Sequence, residues 1–286
     1  EALVLLPLAV LPLLRSTGAP QGYPSLAALQ PDATSSVLGG FLKLAGVIAI
    51  AGLILGIGGL AKRGEAIERT GEGSHIVLLI DRSASMDNSF AGRPPSGKEE
   101  SKSGAARRLL KSFIADRKHD SVGVAAFSTS PMHVLPLTDH KSAITAAVDA
   151  MDRPGLAFTN VGRGLALALD MHEKSPPTAS RAILLVSDGA AVIDRKVQDK
   201  LRTAFAKRPV NLYWLFLRTA GAKGISDKPA PDEPDTPQPL PERHLDLFFK
   251  SLSIPYRAFE AENPEAIADA ITEIGRLEKK PIVYVE

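Results

Sequence analysis

"HIVLLIDRSASMD", residues 75–87, is the stretch that decides the fold. An unbroken apolar run, Ile76 to Ile80, leads into Asp81, and two further oxygen-bearing side chains, Ser83 and Ser85, follow at alternate positions. An apolar run without polar alternation, rich in Val and Ile, marks a strand covered on both faces. Its carboxyl end then turns sharply polar. One carboxylate and two hydroxyls at alternate positions of a turn can converge on a single point. All three are hard oxygen donors, which suit Mg²⁺ better than zinc or copper.

Working outward, the same kind of strand recurs at residues 121–128, 182–187 and 210–217, with weaker strands at 133–137 and 256–260. Helical periodicity fills the gaps, at 103–117, 141–151, 161–173, 195–207, 243–252 and 264–277. In the first of these, Ala106, Leu109, Leu110, Phe113 and Ile114 fall on one face. Strands alternating with helices predict an α/β fold, a doubly wound and mostly parallel sheet flanked by helices. Such sheets gather their ligand-binding loops beyond the carboxyl ends of the strands. Two more oxygen donors are expected there. Thr159 precedes the helix at 161–173, and Asp188 ends the strand at 182–187, with Gly189 free to turn sharply. Each residue alone reads equally well as a helix cap or turn former. Together and in order they point to a metal site made of Asp81, Ser83, Ser85, Thr159 and Asp188.

The chain has 286 residues and a net charge of +2, too little to suggest a nucleic-acid partner. It contains no cysteine, which excludes thiol catalysis and thiolate metal sites. Residues 44–61 carry no charge, and with residues 37–42 they reach the length of a bilayer core. Gly52 and Gly56 add a small-xxx-small pattern of the kind that permits close helix contact in lipid. The expected organisation is an apolar segment at 1–14 read as a first membrane helix, a loop at 15–37 and a transmembrane helix at 38–62. A linker at 63–73 leads to the α/β domain at 74–280, which carries a proline-rich insertion at 223–241.

Catalytic alternatives find little support. Phosphoryl transfer to Asp81 would call for a second aspartate two positions on, where Ser83 stands. There is no Gly-x-Ser-x-Gly elbow and no phosphate-loop Lys-Ser/Thr pair. The six histidines are scattered, without metal-ligand spacing. The expectation is a binding module, not an enzyme. A structural membrane anchor with an unused metal site stays open beside it.

The Asp-x-Ser-x-Ser, Thr, Asp pattern resembles the metal-ion-dependent adhesion site (MIDAS) of von Willebrand factor A (vWA) domains. The resemblance covers about residues 70–280, and all five positions are present. It implies that Ser83, Ser85 and Thr159 hold the metal directly and that Asp81 and Asp188 act through water. The metal would be Mg²⁺, with Mn²⁺ or Ca²⁺ as substitutes, and it would accept an acidic residue from a protein partner. The opening "LLPLAVLPLLRS", the charged linker and the end "AENPEAIADAITEIGRLEKKPI" are similar to membrane-anchored bacterial vWA proteins of the MoxR-associated group, the Bat and MxaC types. That likeness implies a protein of the bacterial inner membrane with its domain in the periplasm. It would be a chaperone-like assembly adaptor working with a MoxR-type AAA+ ATPase, as in methanol dehydrogenase maturation. Lys62, Arg63 and Arg69 argue for the opposite side by the positive-inside rule.

Overall fold

In the computed structural model, β1 (His75–Asp81) is an inner strand of a six-stranded sheet. Residues 10, 33–57, 73–117, 119–152, 158–173, 175, 180–189 and 192–278 are described. The other strands are β2 (Ser121–Phe127), β3 (Pro131–Thr138), β4 (Arg181–Ser187), β5 (Asn211–Leu217) and β6 (Tyr256–Ala261). Their order across the sheet is β3-β2-β1-β4-β5-β6. All neighbours pair in parallel except β3, an edge strand antiparallel to β2. Only residues 128–130 join β2 to β3. A parallel crossover needs a dozen residues or more, so this short link dictates a hairpin. Pairing carries β3 beyond the expected 133–137 to Pro131 and Thr138.

Among the described residues, six α-helices cover the sheet: α2 (Lys102–Ala115), α3 (Lys141–Asp149), α4 (Val161–Met171), α5 (Arg195–Lys207), α6 (Pro241–Lys250) and α7 (Pro264–Leu277). Successive strand residues point to opposite faces. Ile76, Leu78 and Ile80 therefore pack on one side with Leu110, Ile144 and Ile271 of α2, α3 and α7. Val77 and Leu79 pack on the other with Leu165, Leu201 and Phe249 of α4, α5 and α6. Each such side chain contributes about 1.5–3 kcal/mol by leaving water. This two-sided burial is why the central strands read as continuous apolar runs.

At α5 and α7 the helix starts match the sequence reading. Asp194 accepts from Lys196 N at 2.8 Å and starts α5 at 195. Asn263 accepts from Ala266 N at 2.8 Å and starts α7 at Pro264. α6 departs from its expected span of 243–252, because Pro241 is well suited to the first helical position. α2 stops at Ala115 rather than 117, and it begins at Lys102 behind the cap Ser101.

At the amino-terminal edge of the sheet, the chain's approach and departure are joined. Ser74 Oγ donates to the backbone carbonyl of Glu278 at 2.7 Å. The Glu278 carboxylate is buried, and it accepts from Asn211 Nδ2 and Tyr213 OH at 2.7 Å each and from Ser180 Oγ at 3.0 Å.

The amino-terminal unit is a separate body, and its described helix is α1 (Ala33–Ile57). Within it, the 21 residues Ser36–Gly56 are apolar enough and long enough to cross a membrane, and none of that window is buried. Its 25 residues span roughly 37 Å, against about 30 Å for a bilayer core. The helix starts at Ala33, inside the segment expected to be a loop at 15–37. Thr34, Ser35 and Ser36 are uncharged, and an established helix propagates through such residues at small cost. The expected first membrane helix at 1–14 (Val10 apart), residues 58–62 of the expected span and the linker up to 72 lie outside the described residues.

Candidate functional site

From β1 the chain runs outward through β2 and β3, then returns to β4 on the other side of β1. The order of winding reverses between β1 and β4, and such a switch point opens a crevice at the carboxyl ends of the strands. Asp81 ends β1 there. Asp188 follows the end of β4, whose Val186 lies opposite Ile80.

Beyond Asp81 the chain enters a single 3₁₀ turn, Ala84–Asp87. Met86 is buried in the core beneath it and pins the turn. Ser83 N donates to Asp81 Oδ1 at 2.7 Å. Ser83 Oγ and Ser85 Oγ lie 3.0 Å apart, and Ser85 Oγ donates to Asp188 Oδ1 at 2.8 Å. Behind Asp188, Ser187 Oγ accepts from Trp214 Nε1 at 3.0 Å and donates to Gly189 O at 3.1 Å, which shapes the turn.

Thr159 is placed by the start of α4. Asn160 N donates to Ser128 O at 2.8 Å, and the Asn160 side chain caps the helix by accepting from Arg163 N at 3.1 Å. α4 approaches the sheet closely because Gly164 has no side chain. A Cβ there would stand 3.0 Å from the Phe127 ring, tighter than ordinary packing. Ser85, Thr159 and Asp188 then line one cleft of about 460 Å³, together with Lys102, Thr219 and Glu242. Hydrogen bonds thus link four of the five sequence-derived residues, and the fifth lines the cleft with two of them.

Asp81 is 1% exposed, and its Oδ2 is buried without a hydrogen-bond partner. Burial pushes its carboxyl up to about 7. The Ser83 N–H opposes the shift, and the nearby Asp188 adds to it. An orphaned buried carboxylate oxygen costs folding energy and marks a group suited to a cation. The donor set, hydroxyls and carboxylates without sulfur or imidazole, fits a hard divalent ion such as Mg²⁺.

Sequence reading missed Lys102. Its Nζ donates to Asp188 Oδ2 at 2.9 Å and to Thr219 Oγ1 at 2.8 Å, with the side chain 2% exposed. In "KEESK" it looks like one more surface charge. The available signal is its position just after the Ser101 cap, where α2 starts. Thr219 follows β5 and Glu242 opens α6, both beside the same cleft, and neither carries a motif.

Comparison with known proteins agrees with this architecture. Residues 76–190 match the von Willebrand factor type A domain family, a stretch that runs from β1 to just past Asp188 and includes all five residues. An uncharacterized protein of Borreliella burgdorferi is 25% identical over 165 residues, 56% of this chain and 44% of that protein. The D319A mutant of the PilB minor pilin from Streptococcus sanguinis superimposes with a TM-score of 0.55 at 14% identity, over 72% of this chain and 61% of the pilin. BatB from Bacteroides thetaiotaomicron does so with a TM-score of 0.51 at 17% identity, over 71% of this chain and all of BatB. This chain therefore spans less than two thirds of the first two of these relatives. At such identities the structural likeness is one of fold, and the fold is that of a vWA domain.

Proposed function

We propose that this chain is a membrane-anchored vWA domain that binds a protein partner through a divalent metal. The observation that carries the reading is the hydrogen-bonded run Ser83–Ser85–Asp188 beside the orphaned Asp81 carboxylate oxygen, at the switch point of the sheet. Ser83, Ser85 and Thr159 would hold Mg²⁺, or Mn²⁺ or Ca²⁺ in its place, with Asp81 and Asp188 behind. The ion would supply Lewis acidity toward a Glu or Asp of the partner. The protein's own part is to aim the oxygens and bury the acids. Binding rather than catalysis is the role this supports.

The membrane reading rests on the exposed apolar surface of α1. Service as an assembly or maturation adaptor beside a MoxR-type AAA+ ATPase, in the inner membrane with the domain in the periplasm, rests on the resemblance of the flanking segments to Bat and MxaC-type proteins. Methanol dehydrogenase maturation is the specific setting this suggests. Protease accessibility of the domain in spheroplasts tests the side of the membrane, and protection from added protease would overturn a periplasmic domain.

The central test is Mg²⁺ and Mn²⁺ titration calorimetry on the detergent-purified full chain, beside Asp81→Ala and Asp188→Ala. Saturable binding lost in both variants supports the metal centre. A folded wild type that binds neither ion overturns it and leaves a structural anchor.

A further inference from the structure

The acid that ends β4 already has a cation on it. Lys102 is the first residue of α2 and is almost wholly buried, with its Nζ between Asp188 Oδ2 at 2.9 Å and Thr219 Oγ1 at 2.8 Å. Lysine is rarely buried so completely unless paired. The start of a helix is also the wrong end for it, because the backbone dipole is positive there. A single carboxylate, Asp188, offsets both costs. Its other oxygen accepts from Ser85 at 2.8 Å. Asp188 is thus divided between the site hydroxyls and an ammonium that belongs to the chain.

We infer that Lys102 is a built-in counter-charge that sets how tightly the centre holds its divalent ion. This rests on the metal-binding reading proposed above. Asp81 and Asp188 bring two negative charges to the centre, and Lys102 cancels one of them. Glu242 brings a further acid to the cleft from the start of α6. Among the motif acids themselves Lys102 offsets the charge of Asp188, so an incoming ion meets a like charge one carboxylate away. The Lys102 and Asp188 side chains are themselves almost wholly buried, and there that repulsion is stronger than it would be at the surface. Lys102 also occupies a lone pair of Asp188 that a metal-bound water would otherwise use. The centre is consequently tuned toward weak, exchangeable metal binding, and removing the charge tightens it.

The test is Mn²⁺ and Mg²⁺ titration calorimetry on the full chain in detergent, comparing wild type with Lys102→Gln, Lys102→Met and Lys102→Arg. The Gln variant keeps a donor toward Asp188 and Thr219, and the Met variant keeps the apolar stem, so either one that folds reads the charge. We expect Mn²⁺ affinity at least tenfold tighter than wild type in the Gln and Met variants, and within threefold of wild type in the Arg variant. Folded Gln or Met variants that bind no tighter than a metal-binding wild type overturn this inference and leave the metal centre standing. If neither wild type nor the neutral variants bind Mn²⁺, the metal-binding reading falls and this inference falls with it.

Discussion

Each end of the sheet buries a carboxylate, and the two are treated in opposite ways. At the amino-terminal edge, Glu278 receives hydrogen bonds from Asn211, Tyr213 and Ser180. At the carboxyl edge, Asp81 receives one from Ser83 N, and its second oxygen has no partner. A buried acid surrounded by donors fixes structure, because every lone pair it lost to water is replaced. A buried acid left short of donors stores a cost that a cation can relieve. Stability belongs to one edge, and the proposed binding to the other.

The largest break in this contrast should come from Glu278→Ala. It leaves three donors without their acceptor, the Tyr213 hydroxyl buried and the other two part-buried, and should cost about 3 kcal/mol, read as a lowered urea midpoint, with Mn²⁺ affinity unchanged. A simultaneous loss of metal affinity would show that the two edges are coupled.

Acid gives the next effect. His172 sits at the amino-terminal edge with Nε2 3.2 Å from Ala182 O. Burial, the largest cause, lowers its pKa from 6.5 to about 4, against the pull of that carbonyl. The unfolded chain takes up a proton near 6.5 and the folded chain waits until about 4. Stability from this group is full above 6.5 and is lost as pH falls to 4, by about 2–3 kcal/mol. Asp81 runs the other way. Its contribution is full below 3.8 and is lost as pH rises toward 7. The two slopes oppose each other in the wild type, and Asp81→Asn should expose the histidine slope in a series of urea melts across pH.

Asp81→Asn carries a smaller effect of its own. The introduced amide oxygen can still accept from Ser83 N, and no buried charge remains. The metal-free protein should gain about 1 kcal/mol near neutral pH while losing Mg²⁺ binding. A destabilised variant would mean that the introduced amide N–H, left without an acceptor where Oδ2 now stands, costs more than the buried carboxylate it replaces. Least affected of all should be Lys223→Ala. It removes an exposed ion pair to Glu233 in the proline-rich segment, and the thermal midpoint should not move.

The sequence exposes Asp81, Ser83, Ser85, Thr159 and Asp188 because each follows a strand or precedes a helix, and those elements are written in apolar period. It also exposes α5 and α7 to the residue, because Asp194 and Asn263 are strong caps. Lys102 and Glu278 stay hidden for a shared reason. A charged side chain near a helix end has the same local pattern whether it faces water or a buried partner. Here the partners lie far along the chain, Asp188 for the lysine and Tyr213 for the glutamate. The antiparallel direction of β3 was readable in principle from the shortness of residues 128–130. The start of α1 was not, because Thr34 to Ser36 suit helix and loop about equally.

The Ser74–Glu278 hydrogen bond has a mechanical consequence. The chain is fastened into the domain at one end of the sheet, and the cleft opens at the other, separated by the length of β1, roughly 20 Å. Under the proposed function, tension between a partner held at the cleft and the chain arriving at residue 74 would run along the strands. It loads the ladders on both sides of β1 in shear, so their bonds share the force instead of being peeled apart in sequence. Tension between residues 74 and 278 loads the Ser74–Glu278 clasp together with the bonds of the Glu278 carboxylate to Asn211 and Tyr213 of β5.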